Sequence, residues 1–206
     1  RSCGGGGTAS GPTSTTIPAL PVPDGPAIAA LVVDAIAPFR TVPDAEAGSG
    51  VVEPGPASAA IPDTTPDQLD ALGFQRGWSR VFVGPDGSSV LLFVLAFAGP
   101  NGPRYLQEQF ASEPRPGRQF RPVPGVPGAV AEVGPTPKGN QAASTVLAAG
   151  RYAVSVTVGG PGAAESYRAA LGRIATRQIA ALTRAQSSVP TEPSSTSSTQ
   201  PRTSAG

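Results

Sequence analysis

The sequence predicts an α+β domain: an antiparallel sheet of about four to five strands packed against two helices, in ββα–ββα-like order, between disordered amino- and carboxy-terminal tails. Three observations lead there. Residues 77–83 and 89–97 are rich in β-formers and flank Gly84-Pro85-Asp86-Gly87, a strong hairpin turn. Residues 144–148 and 151–158 repeat that arrangement around Ala149-Gly150. Each pair gives way to a Gly/Pro-rich junction and then to a helical pattern, so strands and helices fall into segregated blocks.

Taken in order, residues 1–26 are mostly Gly, Ser, Thr and Pro, bury too little apolar surface to fold, and read as a disordered tether. Residues 27–65 read as a short helix and a linker. The helix spans 27–37, capped by Asp24, with Pro26 in its first turn and Pro38 as its stop. Ile28, Leu31, Val32, Ala35 and Ile36 share one face of it and require a surface to dock on. The Pro, Gly and acidic residues of 38–65 are those of a linker.

The folded domain is expected over 66–185. Thr65-Pro66-Asp67-Gln68 combines an N-cap, a proline at the first helical position and a glutamine at the third, which predicts a turn of helix to about Leu72. The run 89–97 is apolar on both faces and reads as a central, doubly covered strand. A short helix follows over 102–113 with Tyr105, Leu106, Gln109 and Phe110 inward. Next come a Pro/Gly/Arg loop over 114–128 and a strand near 129–133. In the last hairpin arm Tyr152, Val154, Val156 and Val158 alternate with more polar residues, so one face is buried. The clearest helix covers 163–185, with Tyr167, Leu171, Ile174, Ala175, Ile179 and Leu182 as its apolar stripe. Residues 186–206 are a Ser/Thr/Pro tail expected to be disordered.

Composition narrows the chemistry. The 206 residues include no histidine and one cysteine, Cys3. That removes the commonest general base, the Ser-His and Cys-His pairs, and zinc sites built on thiolate or imidazole. No catalytic residue, metal site or cofactor is therefore predicted. Carboxylate chemistry remains as an alternative, with Glu132 and Asp86 the residues it would use. A structural or sensory subunit of a membrane complex is a third reading. The two Gly-rich strand-to-helix junctions lack both the G-x-G-x-x-G spacing and the Walker lysine, so they are expected to be ordinary turns rather than phosphate cradles.

Charge is uneven. Residues 1–75 carry eight acidic and two basic side chains, whereas 76–206 carry six and thirteen. Arg173, Arg177 and Arg184 fall on the helix face opposite the apolar stripe, and Arg76 and Arg80 flank Trp78, the single tryptophan. These six residues are the candidate ligand or partner surface. The solvated-face and core-aromatic readings stand beside it. Anionic lipid headgroups, a cell-wall polymer or an envelope protein would suit such a surface, and no nucleic-acid recognition motif is present.

Cys3 stands alone before Gly4, Gly5, Gly6 and Gly7, with nothing near it in sequence to lower its pKa. Ser2-Cys3-Gly4 followed by a Ser/Thr/Pro tether resembles the start of bacterial lipoproteins after removal of the signal peptide. That resemblance implies a diacylglyceryl thioether on Cys3, often an acyl group on its amine, and a place on the outer, extracytoplasmic face of the cell membrane. With no methionine in the chain, Arg1 reads as a processed or internal start, with a targeting segment upstream. The domain itself is similar to small α+β domains of uncharacterised actinobacterial lipoproteins, through Gly73-Phe-Gln-Arg-Gly-Trp, the strand at 90–97, Val123-Pro-Gly-Val-Pro-Gly128, Ala149-Gly-Arg-Tyr-Ala-Val-Ser-Val and Ala175-Thr-Arg-Gln178. This likeness implies architecture and location, and the function expected from it is non-enzymatic binding at the cell envelope.

Overall fold

The computed structural model describes residues 22–43, 49–112 and 114–187. Cys3, most of the expected tether and nearly all of the expected tail lie outside the described residues. The sheet is laid out around β4 (Ser89–Phe97), which pairs antiparallel with β3 (Phe74–Val83) on one edge and β8 (Tyr152–Gly160) on the other. Its side chains alternate between two cores. Val90, Leu92, Val94 and Ala96 enter the first, and Phe93, Leu95 and Phe97 the second. An uninterrupted apolar run is what a strand covered on both faces requires, and the central position predicted for it is the one it occupies.

Beyond β8 the sheet continues through β7 (Gln141–Ala149), β6 (Val130–Pro135) and β5 (Gln119–Pro122). On the other side β1 (Arg40–Thr41) and β2 (Gly50–Val52) both pair with β3. The order is β1-β3-β4-β8-β7-β6-β5 with β2 beside β3, eight strands among the described residues. The expected four to five strands are thus too few. The additional strands come from two segments read as irregular. Val52 of the expected linker is buried against Gly77, and Phe120 of the expected loop packs 6.0 Å from Phe110, ring centre to ring centre. Neither segment has enough residues to show an alternating pattern, and each owes its conformation to the strand it pairs with. Pro122 is tolerated because β5 is an edge strand.

Helices cover both faces, and more than the two expected pack against the sheet. The first face carries α1 (Gly25–Ala29) and α5 (Ala164–Ser187), the latter burying Tyr167, Leu171, Ile174, Ala175 and Leu182. The second carries α2 (Pro54–Ala59), α3 (Pro66–Ala71) and α4 (Asn101–Ser112) through Ala57, Leu69, Leu106 and Phe110. At six residues, α2 and α3 are far below the roughly 12–15 an isolated helix needs, so packing holds them. The Thr65 cap forms as predicted, accepting from the Gln68 amide at 3.2 Å. In α4 the expected inward Tyr105 is 47 % exposed, because Leu106 and Phe110 already fill the contact. No described helix is long and apolar enough to cross a membrane.

The largest departure is at α1. Asp24 caps it as predicted, accepting from the Ala27 amide at 2.7 Å, but the helix ends at Ala29 rather than near residue 37. The next turn is held by other elements. The fully buried Gln178 of α5 donates to the Leu31 carbonyl at 2.8 Å and accepts from the Val33 amide at 3.0 Å. Arg80 of β3 donates to the carbonyls of Val32 and Val33 at 2.9 and 3.0 Å. Side chains thus replace the helical ladder, and Ile28, Val32 and Ile36 still reach the first core.

One glycine on α5 has an unusual sign. A helix-interior Gly→Ala change ordinarily stabilises by about 1 kcal/mol. At Gly172, however, a Cβ would lie 2.4 Å from the Pro124 carbonyl oxygen, where the 123–126 turn rests on the helix. Gly172→Ala is therefore expected to destabilise by about 1–3 kcal/mol, read as a lower urea midpoint with unchanged slope.

Candidate ligand groove

The second face of the sheet is only partly roofed. Helices α2–α4 cover the end holding Leu95 and Phe97, and the cover stops before the other end of β4. Leu91 there is 39 % exposed although its neighbours along the strand are buried. A groove results, its floor made by three adjacent strands: Leu91 and Phe93 of β4, Ser155 and Thr157 of β8, and Ala142, Ser144 and Val146 of β7. It has an outer compartment of about 490 Å³ and an inner one of about 220 Å³, and Leu91, Thr157 and Ala142 line both.

Local structure fixes the walls. On one side the 59–62 segment after α2 is pinned to the floor, because the Ser155 hydroxyl donates to the Ala60 carbonyl at 2.8 Å. On the other, the β6–β7 turn is closed by Thr136 N–H to the Asn140 carbonyl at 2.7 Å and Gly139 N–H to the Thr136 carbonyl at 2.9 Å. That turn carries Lys138 on the rim of the outer compartment, exposed and without an ion pair among the described residues. The Thr157 hydroxyl donates to Ser144 Oγ at 3.2 Å, so part of the floor's polarity is internally paired.

The inner compartment ends at an ionic cluster. Glu132 of β6 is 2 % exposed and accepts from Arg115 Nε at 2.7 Å, from Arg115 Nη2 and from the Arg115 backbone amide. Arg118 Nη1 lies 3.1 Å from the same carboxylate, and its Nη2 donates to the carbonyls of Glu132 and Ala142, each at 3.2 Å. Burial alone raises the Glu132 pKa. The Arg115 hydrogen bonds and the two guanidinium charges outweigh it and hold the carboxyl below its ordinary value. Burial lowers the Arg118 pKa, opposed by the Glu132 charge. Among Arg115, Arg118 and Glu132 themselves, two cations face one anion.

The carboxylates considered for acid–base chemistry are both committed elsewhere. Glu132 serves the cluster just described. Asp86 closes the β3–β4 turn by accepting from the Ser88 amide at 3.0 Å and from its hydroxyl, and those bonds lower its pKa. Among the described residues no three His, Cys, Asp or Glu side chains converge as metal ligands would. The groove hydroxyls of Ser144, Ser155 and Thr157 bond to one another or to backbone.

The residues singled out from sequence lie elsewhere. Arg76, Trp78 and Arg80 sit opposite Ala96, Val94 and Leu92 of β4, hence on the first face, away from the groove. Arg80 is spent on the Val32 and Val33 carbonyls, and Trp78 packs half-buried against the first core, its Nε1 buried without a partner. Arg173, Arg177 and Arg184 are exposed on the outer side of α5; the first two border a shallow depression beside Pro124, and Arg184 does not. The structure does not bring the two arginine groups into one site. The groove went unnoticed in sequence because its residues come from three strands, two helices and several loops and turns between them. Its one local signal was Ser155 and Thr157 facing Ser144 across paired strands, and a polar strand face ordinarily means solvent.

No protein-family model matches this sequence, and no curated protein is significantly similar to it. Among solved structures, the extracellular domain of PknH from Mycobacterium tuberculosis is similar at a TM-score of 0.43 and 16 % identity, over 65 % of this chain and 78 % of that one.

Proposed function

We propose that this chain is a non-catalytic binding module of the bacterial cell envelope, held to the outer face of the membrane through lipid on Cys3, with the groove on the second sheet face as its ligand seat. The half-roofed strand β4 carries the reading. A sheet face that is dry and packed along one half and open along the other leaves a concave, apolar and largely pre-formed surface with a few placed hydroxyls, as small-ligand sites have. An outer volume of about 490 Å³ is within the range such sites occupy.

The neutral apolar dye Nile red tests the seat. Its fluorescence is expected to rise on binding and to lose that rise in Leu91→Arg, which puts a charge on the floor at an already exposed position. An equal rise in both proteins would refute the groove as the seat. For the anchor, Cys3→Ser in the full precursor is expected to move the protein from the membrane to the soluble fraction. Unchanged fractionation together with no acyl mass on the native protein would refute lipid attachment.

A further inference from the structure

We infer that the groove takes a single-chain amphiphile with one anionic head, the head resting at the Arg115–Arg118 end and the apolar chain lying over Phe93 and Leu91 toward the Lys138 turn. This rests on the groove being the ligand seat and adds the chemical class and the direction of the occupant.

Among the described residues the lining of the two compartments has one sign of charge: Arg115, Arg118 and Lys138 border them and no aspartate or glutamate does, while Asp63 lines the small adjoining cavity with Arg115 and Glu132. Glu132 stands behind the inner compartment with its carboxylate already engaged by both arginines. Arg118 is the second observation. Its side chain is 7 % exposed, it borders the inner compartment, and its Nε has no hydrogen-bond partner among the described residues. An excess positive charge held beside low-dielectric walls projects its field into the groove, since little water is present to screen it. Arg115, whose side chain is 40 % exposed, is the cation a ligand reaches first.

The floor supplies the other half of the recognition. Between the arginines and the Lys138 turn lie Phe93, Val146, Leu91 and Ala142, interrupted only by hydroxyls that are paired with one another or with backbone. A compact polyanion such as inorganic phosphate would leave this stretch empty. A neutral chain would leave the arginine end unmatched. One anionic head on one apolar chain satisfies both, whether the head is a carboxylate or a phosphate.

Displacement of Nile red from the intact domain by four probes tests this. Decanoate and decyl phosphate are expected to displace the dye at concentrations at least tenfold lower than decanol, and inorganic phosphate at least tenfold less effectively than decyl phosphate. Arg115→Gln should bring the decanoate-to-decanol preference down several-fold, because it leaves Glu132 and Arg118 as a neutral pair. In the unaltered protein, decanoate but not decanol should shift the backbone amide resonances of Arg115 and Arg118, a readout that does not depend on the variant folding. Decanol matching decanoate would overturn the anionic head and leave the groove as a neutral-ligand seat. Inorganic phosphate matching decyl phosphate would overturn the apolar chain. A preference lost in Lys138→Gln but kept in Arg115→Gln would overturn the direction. Failure of Nile red itself to bind in the groove would remove the underlying reading, a result distinct from all three.

Discussion

Glu132→Gln is expected to destabilise the domain at neutral pH by about 3–5 kcal/mol, the cost of leaving buried charge without its partner. The substitution preserves shape and keeps a carbonyl acceptor, so the loss is one of charge. Arg118, with a side chain only 7 % exposed, would keep its guanidinium beside that of Arg115 and no carboxylate between them. Replacing the whole cluster by apolar residues would cost far less, because the penalty comes from the unpaired cation rather than from the worth of the pair.

The pH dependence gives this prediction a second edge. The folded-state pKa of Glu132 lies below its unfolded value, near the ordinary 4.5. Its ionised form is therefore bound more tightly in the folded state, and the stability it contributes is fully present above that ordinary value. It is lost as pH falls from there through the lower folded value. The gap between the native protein and Glu132→Gln should be widest near neutrality and should close as the pH is taken down through that window. Urea midpoints measured in parallel from pH 7 to pH 3 check it. A gap that stays constant would mean that Glu132 acts through packing and not charge.

Gln178→Leu is the second large effect, expected to cost roughly 2–4 kcal/mol, since it leaves the Leu31 carbonyl and the Val33 amide without their bonds. Leucine is the better helix former and matches the apolar neighbours, so propensity and hydrophobicity both predict the opposite sign. Desolvated backbone groups decide it, because each unsatisfied one costs about 1–3 kcal/mol. The 30–36 segment should loosen first, with faster amide exchange at Val33 while the β4–β8 ladder remains protected. Thermal unfolding and hydrogen exchange read the two parts separately. Arg80 holds the adjacent carbonyls and sets a floor under the damage.

These two residues also mark where reading along the chain stops. Gln178 falls in a helix whose apolar stripe was legible from spacing alone, yet nothing local says that its amide terminates a helix 147 residues earlier. The 27–37 segment carried a sound helical period, and of the face it chose Ile28, Val32 and Ile36 are buried and Leu31 half-buried, whereas Ala35 is exposed. What it could not carry was the competing offer of hydrogen bonds from α5 and β3. The 38–65 segment shows the same limit. Val52 becomes a strand residue by pairing with Gly77 of β3, which no local pattern announces.

The sequence by itself determined the elements whose physics is local. Among them are β4 as a central strand, the hairpin turns, the Asp24 and Thr65 caps, the stripe on α5, and the absence of imidazole chemistry from a chain without histidine. Only the tertiary structure decided which backbone groups are satisfied from afar, that the sheet has eight strands with helices on both faces, and that three helices roof only half of the second face. The reason is range. Periodicity, capping and turn preference act over a few residues, whereas the groove and its arginine cluster are assembled from positions between Ala59 and Pro161, which share a surface only after the sheet has closed its register.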